Sequence, residues 1–150
     1  YSTDEIAENK AFFAIDPDAT WHQFKGYAKN QYLVDPCKLL VYTPGIDKET
    51  GDYEDFGIPA SVLSHYLQDH GLTPEKCDLN SILFLLTPAD SDTMMKNLVA
   101  LMVRFEQAID DDVPMKDVLP KIYYQYEEHY RGYTIRQLCQ EMHNFYKNEM

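Results

Sequence analysis

Residues 74–86 read Pro74-Glu75-Lys76-Cys77-Asp78-Leu79-Asn80-Ser81-Ile82-Leu83-Phe84-Leu85-Leu86. The second half is an unbroken apolar run bounded by turn residues. It predicts a strand over about residues 80–86, buried on both faces. The first half presses Glu75, Lys76 and Asp78 against that run. Charge at the mouth of a buried strand needs either solvent or a partner, because a lone buried carboxylate is costly.

Outward from this stretch, Lys38-Leu39-Leu40-Val41-Tyr42-Thr43 predicts a first strand, punctuated by Asp35-Pro36 and Pro44-Gly45. Ala60 to His70 carries Val62, Leu63, Tyr66 and Leu67 on one helical stripe, and Gly71 supplies the stop. Thr87-Pro88-Ala89-Asp90-Ser91 is a turn able to cap a long helix. Met94, Met95, Leu98, Leu101, Met102, Phe105 and Ile109 recur at its spacing. Asp110-Asp111-Asp112 opposes the helix dipole at a C-terminus and predicts the end there. A further helix is predicted over Val118–Tyr130, with Pro120 in its first turn. Thr134-Ile135-Arg136-Gln137 is a capping box. It opens a last helix with the stripe Ile135, Leu138, Met142 and Phe145. This order of elements predicts an α+β fold, a small sheet covered by helices mainly on one side. Residues 1–30 show no strong element and read as a linker or packing segment, with the domain proper over 31–150.

The chain has 150 residues, 45% of them hydrophobic, which suits one domain. Its formal net charge of −12, with no basic run, argues against nucleic acid as a partner. Three separated cysteines, Cys37, Cys77 and Cys139, form no CxxC pair, and reduced thiols in a cytoplasmic protein fit best. No stretch approaches the ~20 apolar residues of a membrane span. The start YSTDEIAENK lacks the pattern of a signal peptide. With no Met before Met94, the expectation is a fragment or a processed product.

Self-contained catalytic machinery is hard to find. The acidic loop Ile46–Pro59 fails the ligand spacing of an EF-hand and reads as a solvated hairpin. The Asp110–Asp112 triplet reads as a solvated helix end rather than a metal site. His22, His65, His70, His129 and His143 stand in no HExxH pattern and read as surface or capping residues. There is no GxSxG elbow and no glycine-rich phosphate loop. Tyr123, Tyr124, Tyr126, Tyr130 and Tyr133 suggest a helix stripe with phenols at a subunit contact more than a base-stacking surface.

Several phrases carry a family resemblance. They are Trp21-His22-Gln23-Phe24, Asp35-Pro36-Cys37-Lys38, Thr43-Pro44-Gly45-Ile46-Asp47, Asp55-Phe56-Gly57-Ile58-Pro59-Ala60, residues 74–89 (PEKCDLNSILFLLTPA) and the run Tyr133 to His143. Together they resemble the bacterial ornithine/lysine/arginine decarboxylases of aminotransferase-like fold, and residues 74–89 resemble the ornithine branch. The resemblance runs from about Trp21 to the end and covers only the C-terminal part of such an enzyme. It implies pyridoxal 5'-phosphate as cofactor, held as an imine by a lysine in a Ser-x-His-Lys motif of a preceding large domain. No lysine of this chain follows a histidine, so the chain alone is expected to be inactive. The implied reaction is conversion of L-ornithine to putrescine and CO2, in a homo-oligomer. As a fragment it should show an apolar surface toward the remainder of the polypeptide.

By motif position, the resemblance assigns Glu75 to the distal ammonium of ornithine. A carboxylate ~4 Å from an ammonium gains about 4 kcal/mol at an effective dielectric of 20, less the desolvation of both charges. The competing placement is a surface pair with Lys76 or a helix end. Asp78 is a second candidate, which on an extended chain points to the opposite face. The competing function is a stand-alone acidic module that binds a protein or polyamine.

Overall fold

The stretch 74–86 doubles back on itself. The computed structural model describes residues 1–19, 24–47 and 49–149. In it Lys76–Cys77 (β2) and Ser81–Leu85 (β3) form an antiparallel hairpin around Asp78-Leu79-Asn80. Lys38–Tyr42 (β1) pairs antiparallel with the other edge of β3, so the order is β1-β3-β2. The charged half of the stretch is therefore an edge strand, which the sequence reading missed. Two paired residues carry too little periodicity to register as a strand.

The predicted burial of β3 on both faces is not what the structure shows. The register puts Leu39, Val41, Cys77, Ile82 and Phe84 on one face and Lys38, Leu40, Tyr42, Leu83 and Leu85 on the other. Ile82 and Phe84 are buried, whereas Leu40, Tyr42 and Leu85 are 46%, 52% and 50% exposed. An antiparallel sheet can keep one face on a core and leave the other open. The open face carries these exposed apolar side chains beside Lys38.

Helices cover the first face. Ala60–Asp69 (α2) buries Val62, Leu63, Tyr66 and Leu67, the predicted stripe. Gly71, at φ +83°, lets the chain leave α2 while the Leu72 amide donates to the Leu67 carbonyl at 2.9 Å. Asp92–Asp110 (α3) is capped by Ser91, whose hydroxyl accepts from the Met94 amide, and it buries Leu98, Leu101, Phe105 and Ile109. The Tyr66 and Phe105 rings meet 5.0 Å apart between α2 and α3. Each such buried side chain contributes about 1.5–3 kcal/mol. The helix ends at Asp110, with Asp112 turned to φ +51°.

The predicted helix over Val118–Tyr130 is instead three short ones: Met115–Val118 (α4), Pro120–Gln125 (α5) and Glu127–Tyr130 (α6). Pro120 accounts for the first break. It has no N–H to give, and it pushes Leu119 out of the helical region to φ −127°, ψ 61°. The last helix, Ile135–Glu149 (α7), opens on the predicted capping box. The Thr134 hydroxyl accepts from the Gln137 amide, and the Gln137 side chain accepts from the Thr134 amide. Its buried stripe differs from the prediction. Phe145 is 58% exposed, and Cys139 and His143 are fully buried beside Ile135 and Leu138.

The N-terminal region does hold an element. Thr3–Glu8 (α1) has a reciprocal cap between Ser2 and Glu5, a signal legible as S-x-x-E and overlooked because no apolar stripe follows it. Bonds from Val34 to Phe13 and from Ile15 to Tyr32 close this region into a loop. The phrase Trp21-His22-Gln23 lies outside the described residues.

Candidate functional site

The hairpin holds the backbone that carries its charges. The Glu75 amide donates to the Leu83 carbonyl at 2.8 Å, and the Asp78 amide donates to the Ser81 carbonyl at 2.9 Å. Glu75 and Asp78 thus bracket β2 on bonded backbone. Lys76 lies opposite Leu83 on the open face of the sheet, away from the Cys77–Ile82 side. Glu75 is exposed. The ion pairs among the described residues are Lys38–Asp35, Lys121–Asp69 and Lys147–Asp55. The surface pair between Glu75 and Lys76 therefore does not form.

Asp78 lies elsewhere, at a cleft of ≈ 550 Å³ between the end of β1, the hairpin turn and the acidic loop. Tyr42, Thr43, Gly45, Glu54, Asp78 and Asn80 are among its lining residues. Three backbone bonds stitch its walls: Thr43 to Asn80 at 3.0 Å, Glu54 to Gly45 at 2.9 Å, and Ile58 to Pro44 at 2.8 Å. Asp78 Oδ1 accepts from the Leu79 amide at 2.8 Å. Glu75 does not line this cleft.

Behind the cleft sits a residue the sequence reading placed at the surface. His143 is fully buried. Its Nε2 is 2.8 Å from the Glu54 carbonyl, and since a carbonyl only accepts, Nε2 carries the proton. Its Nδ1 is buried with no partner among the described residues. The ring fits between Gly45 and Gly57, where a side chain on either glycine would strike it. This explains glycine in the phrases TPGI and FGIP. Gly45 also holds φ +118°, and Gly57 keeps the space for an imidazole from α7. The Gln140 side chain donates to the Asp55 carbonyl at 2.8 Å, and Lys147 reaches the Glu54 carbonyl at 3.3 Å. So α7 holds the acidic loop that walls the cleft. The available signal was His143 four residues after the core residue Cys139, one helical turn along.

Electrostatics around the site are mild. The acidic loop is held by Asp47, whose carboxylate accepts from the Thr50 and Glu49 amides. Those bonds hold its carboxyl below the usual carboxylate range. Burial pushes the Cys77 thiol up, and burial pushes Cys139 up to about 12. Neither thiol is set up as a nucleophile. Every described lysine is exposed, and none lines the cleft. No group of three or more His, Cys, Asp and Glu among the described residues is placed to hold a metal ion. No described helix is long and apolar enough to cross a membrane. The late tyrosines diverge: Tyr123 is buried in the core, while Tyr124 and Tyr126 are exposed.

The profile of the family described as "Orn/Lys/Arg decarboxylase, major domain" matches residues 2–94. The match crosses residue 30, takes in the whole sheet and ends inside α3. Over 146 residues the chain is 59% identical to the constitutive ornithine decarboxylase of Escherichia coli (strain K12), covering 97% of this chain and 20% of that protein. The same identity and coverage hold for the ornithine decarboxylase of Haemophilus influenzae. The solved structure of lysine decarboxylase A from Pseudomonas aeruginosa superposes with a TM-score of 0.83 at 32% identity, over 93% of this chain and 18% of that one. The chain thus spans about a fifth of the length of the curated relatives it matches. On the family profile and these identities, the chain belongs to the Orn/Lys/Arg decarboxylase family.

Proposed function

We propose that this chain is the C-terminal part of an ornithine decarboxylase, a cytoplasmic, homo-oligomeric enzyme that converts L-ornithine to putrescine and CO2. In this reading residues 31–150 form the domain and residues 1–30 lead into it from the large domain. The chain's own contribution is Glu75. Its backbone is fixed by the bond to Leu83, and its exposed carboxylate makes no ion pair among the described residues. That is the observation that carries the reading. A carboxylate held on a rigid strand edge, yet left without a cation, is ready for one supplied from outside. The distal ammonium of ornithine is such a group, and fixing it would select the length of the substrate. The higher identity to the ornithine enzymes than to the lysine enzyme favours the shorter substrate.

The remaining chemistry belongs elsewhere. Pyridoxal phosphate needs a lysine able to form an imine and a cradle for its phosphate. The described lysines are exposed, and no lysine of the chain follows a histidine, so these residues do not fit the cofactor. The open sheet face of Leu40, Tyr42 and Leu85 supports docking against the rest of the polypeptide. Release of CO2 from carboxyl-labelled ornithine tests the proposal. The purified chain with added pyridoxal phosphate should release none, and the same chain joined to the upstream polypeptide should turn over. Turnover by the chain alone would overthrow it.

A further inference from the structure

The two edges of the sheet are built differently. The β2 edge is two residues long and begins with Lys76. A short, charged edge resists pairing with a further strand. The β1 edge is five residues, Lys38-Leu39-Leu40-Val41-Tyr42, with no proline and an unbroken register to β3. Backbone bonds from Leu86 to Cys37 and from Thr43 to Asn80 extend that register at both ends. Bonded positions alternate along an antiparallel ladder, so Cys37, Leu39, Val41 and Thr43 bond toward β3. The N–H and C=O groups of Leu40 and Tyr42 therefore point to the outer edge, where the sheet has no neighbouring strand among the described residues. No turn or loop among the described residues bonds them there either. The two residues are 46% and 52% exposed, with their side chains on the open face. An apolar strand with a row of unpaired backbone groups is a template for another strand.

We propose that a strand from the remainder of the same polypeptide adds to the free edge of β1, exchanging backbone bonds with Leu40 and Tyr42 and extending the sheet to four strands. The proposal rests on the reading above that the chain is part of a longer decarboxylase. The family profile takes in the whole sheet, and the chain spans about a fifth of its curated relatives, which leaves ample polypeptide to supply a strand. Outside the sheet, the described residues offer isolated bridges such as Ala14 to Leu33 but no further strand. A second copy fits less well. Each chain carries a net charge of −12 and repels its like, whereas a tethered strand meets the edge at high effective concentration.

The test is residue-resolved hydrogen exchange in the longer polypeptide. The amides of Leu40 and Tyr42 should exchange about a hundredfold or more slowly than unstructured amides, on a par with Leu39 and Val41 of the same strand. A photoreactive p-benzoylphenylalanine in place of Tyr42 then identifies the occupant. The cross-link should join position 42 to a segment outside these 150 residues within one polypeptide. The idea fails if Leu40 and Tyr42 exchange freely while Leu39 and Val41 are protected. It also fails if the cross-link joins two copies or stays within the 150 residues. Protection of both amides in a polypeptide that does not decarboxylate ornithine would sink the reaction proposed above and leave the strand pairing standing. Turnover with free exchange at both amides would do the reverse.

Discussion

Gly57→Ala is the change that probes the site's architecture most sharply. A methyl group added there overlaps Nδ1 and Cε1 of His143 and comes within 2.9 Å of the Gly45 Cα. Gly45 is as closely placed on its side, where a Cβ would lie 2.5 Å from the Gly57 Cα and 2.8 Å from the same ring. The imidazole must therefore move and give up its bond to the Glu54 carbonyl. Loss of that bond costs about 1 kcal/mol, and overpacking of a tight site costs about 1–3 kcal/mol more. The total of about 2–4 kcal/mol lowers the melting temperature by roughly 5–15 °C for a domain of this size. Thermal unfolding followed by circular dichroism gives the value. The decisive comparison is a double-mutant cycle with His143→Ala, which empties the space the new methyl needs. The cost of Gly57→Ala should then shrink by more than about 1 kcal/mol in the His143→Ala background. Additive effects, within about 0.5 kcal/mol, would refute the clamp of α7 against the two glycine loops.

Other consequences are testable in the same chain. Cys139 is buried with its thiol raised to about 12, so the folded state keeps a proton that the unfolded chain releases above its ordinary value near 9. Its contribution to stability is intact below that value and is lost as pH rises from there toward 12, at up to about 1.4 kcal/mol per pH unit. Denaturant titrations of the parent and Cys139→Ala across this range measure the difference in slope. In a thiol-labelling experiment on the folded chain, the exposed Cys37 and Cys77 should react, Cys77 more slowly, while Cys139 stays protected until unfolding. Thr134→Ala removes the acceptor for the Gln137 amide and should destabilise the start of α7 by about 1 kcal/mol, read as a 2–4 °C fall in melting temperature.

What could be read from the sequence divides along physical lines. The stripe Val62, Leu63, Tyr66 and Leu67, the Ser91 cap and the box at Thr134–Gln137 are local patterns, and local energetics decided them. β2 escaped notice because an edge strand of two residues owes its existence to β3, not to its own side chains. The open face of β3 was misread because an apolar run looks alike whether a second layer covers it or the rest of a longer polypeptide does. Pro120 was visible, but its power to split one helix into segments depends on the packing that α4 and α5 find separately. Glu75 came from family resemblance, and the hairpin adds that its backbone is held by the bond to Leu83. His143, Thr43 and Asn80 became visible only in three dimensions. His143 meets Glu54 and the two glycine loops across stretches far apart in sequence, and the glycines that make room for it give no hint of which side chain will fill the gap.

The claim that Glu75 presents its carboxylate to the substrate's distal ammonium is tested most directly by steady-state kinetics of Glu75→Gln in the longer polypeptide. Loss of one charged hydrogen bond should raise KM for ornithine by roughly 10- to 150-fold. The preference for ornithine over an analogue lacking the terminal amine should narrow by a similar factor. An unchanged KM and an unchanged preference would place Glu75 outside the substrate site and contradict the account.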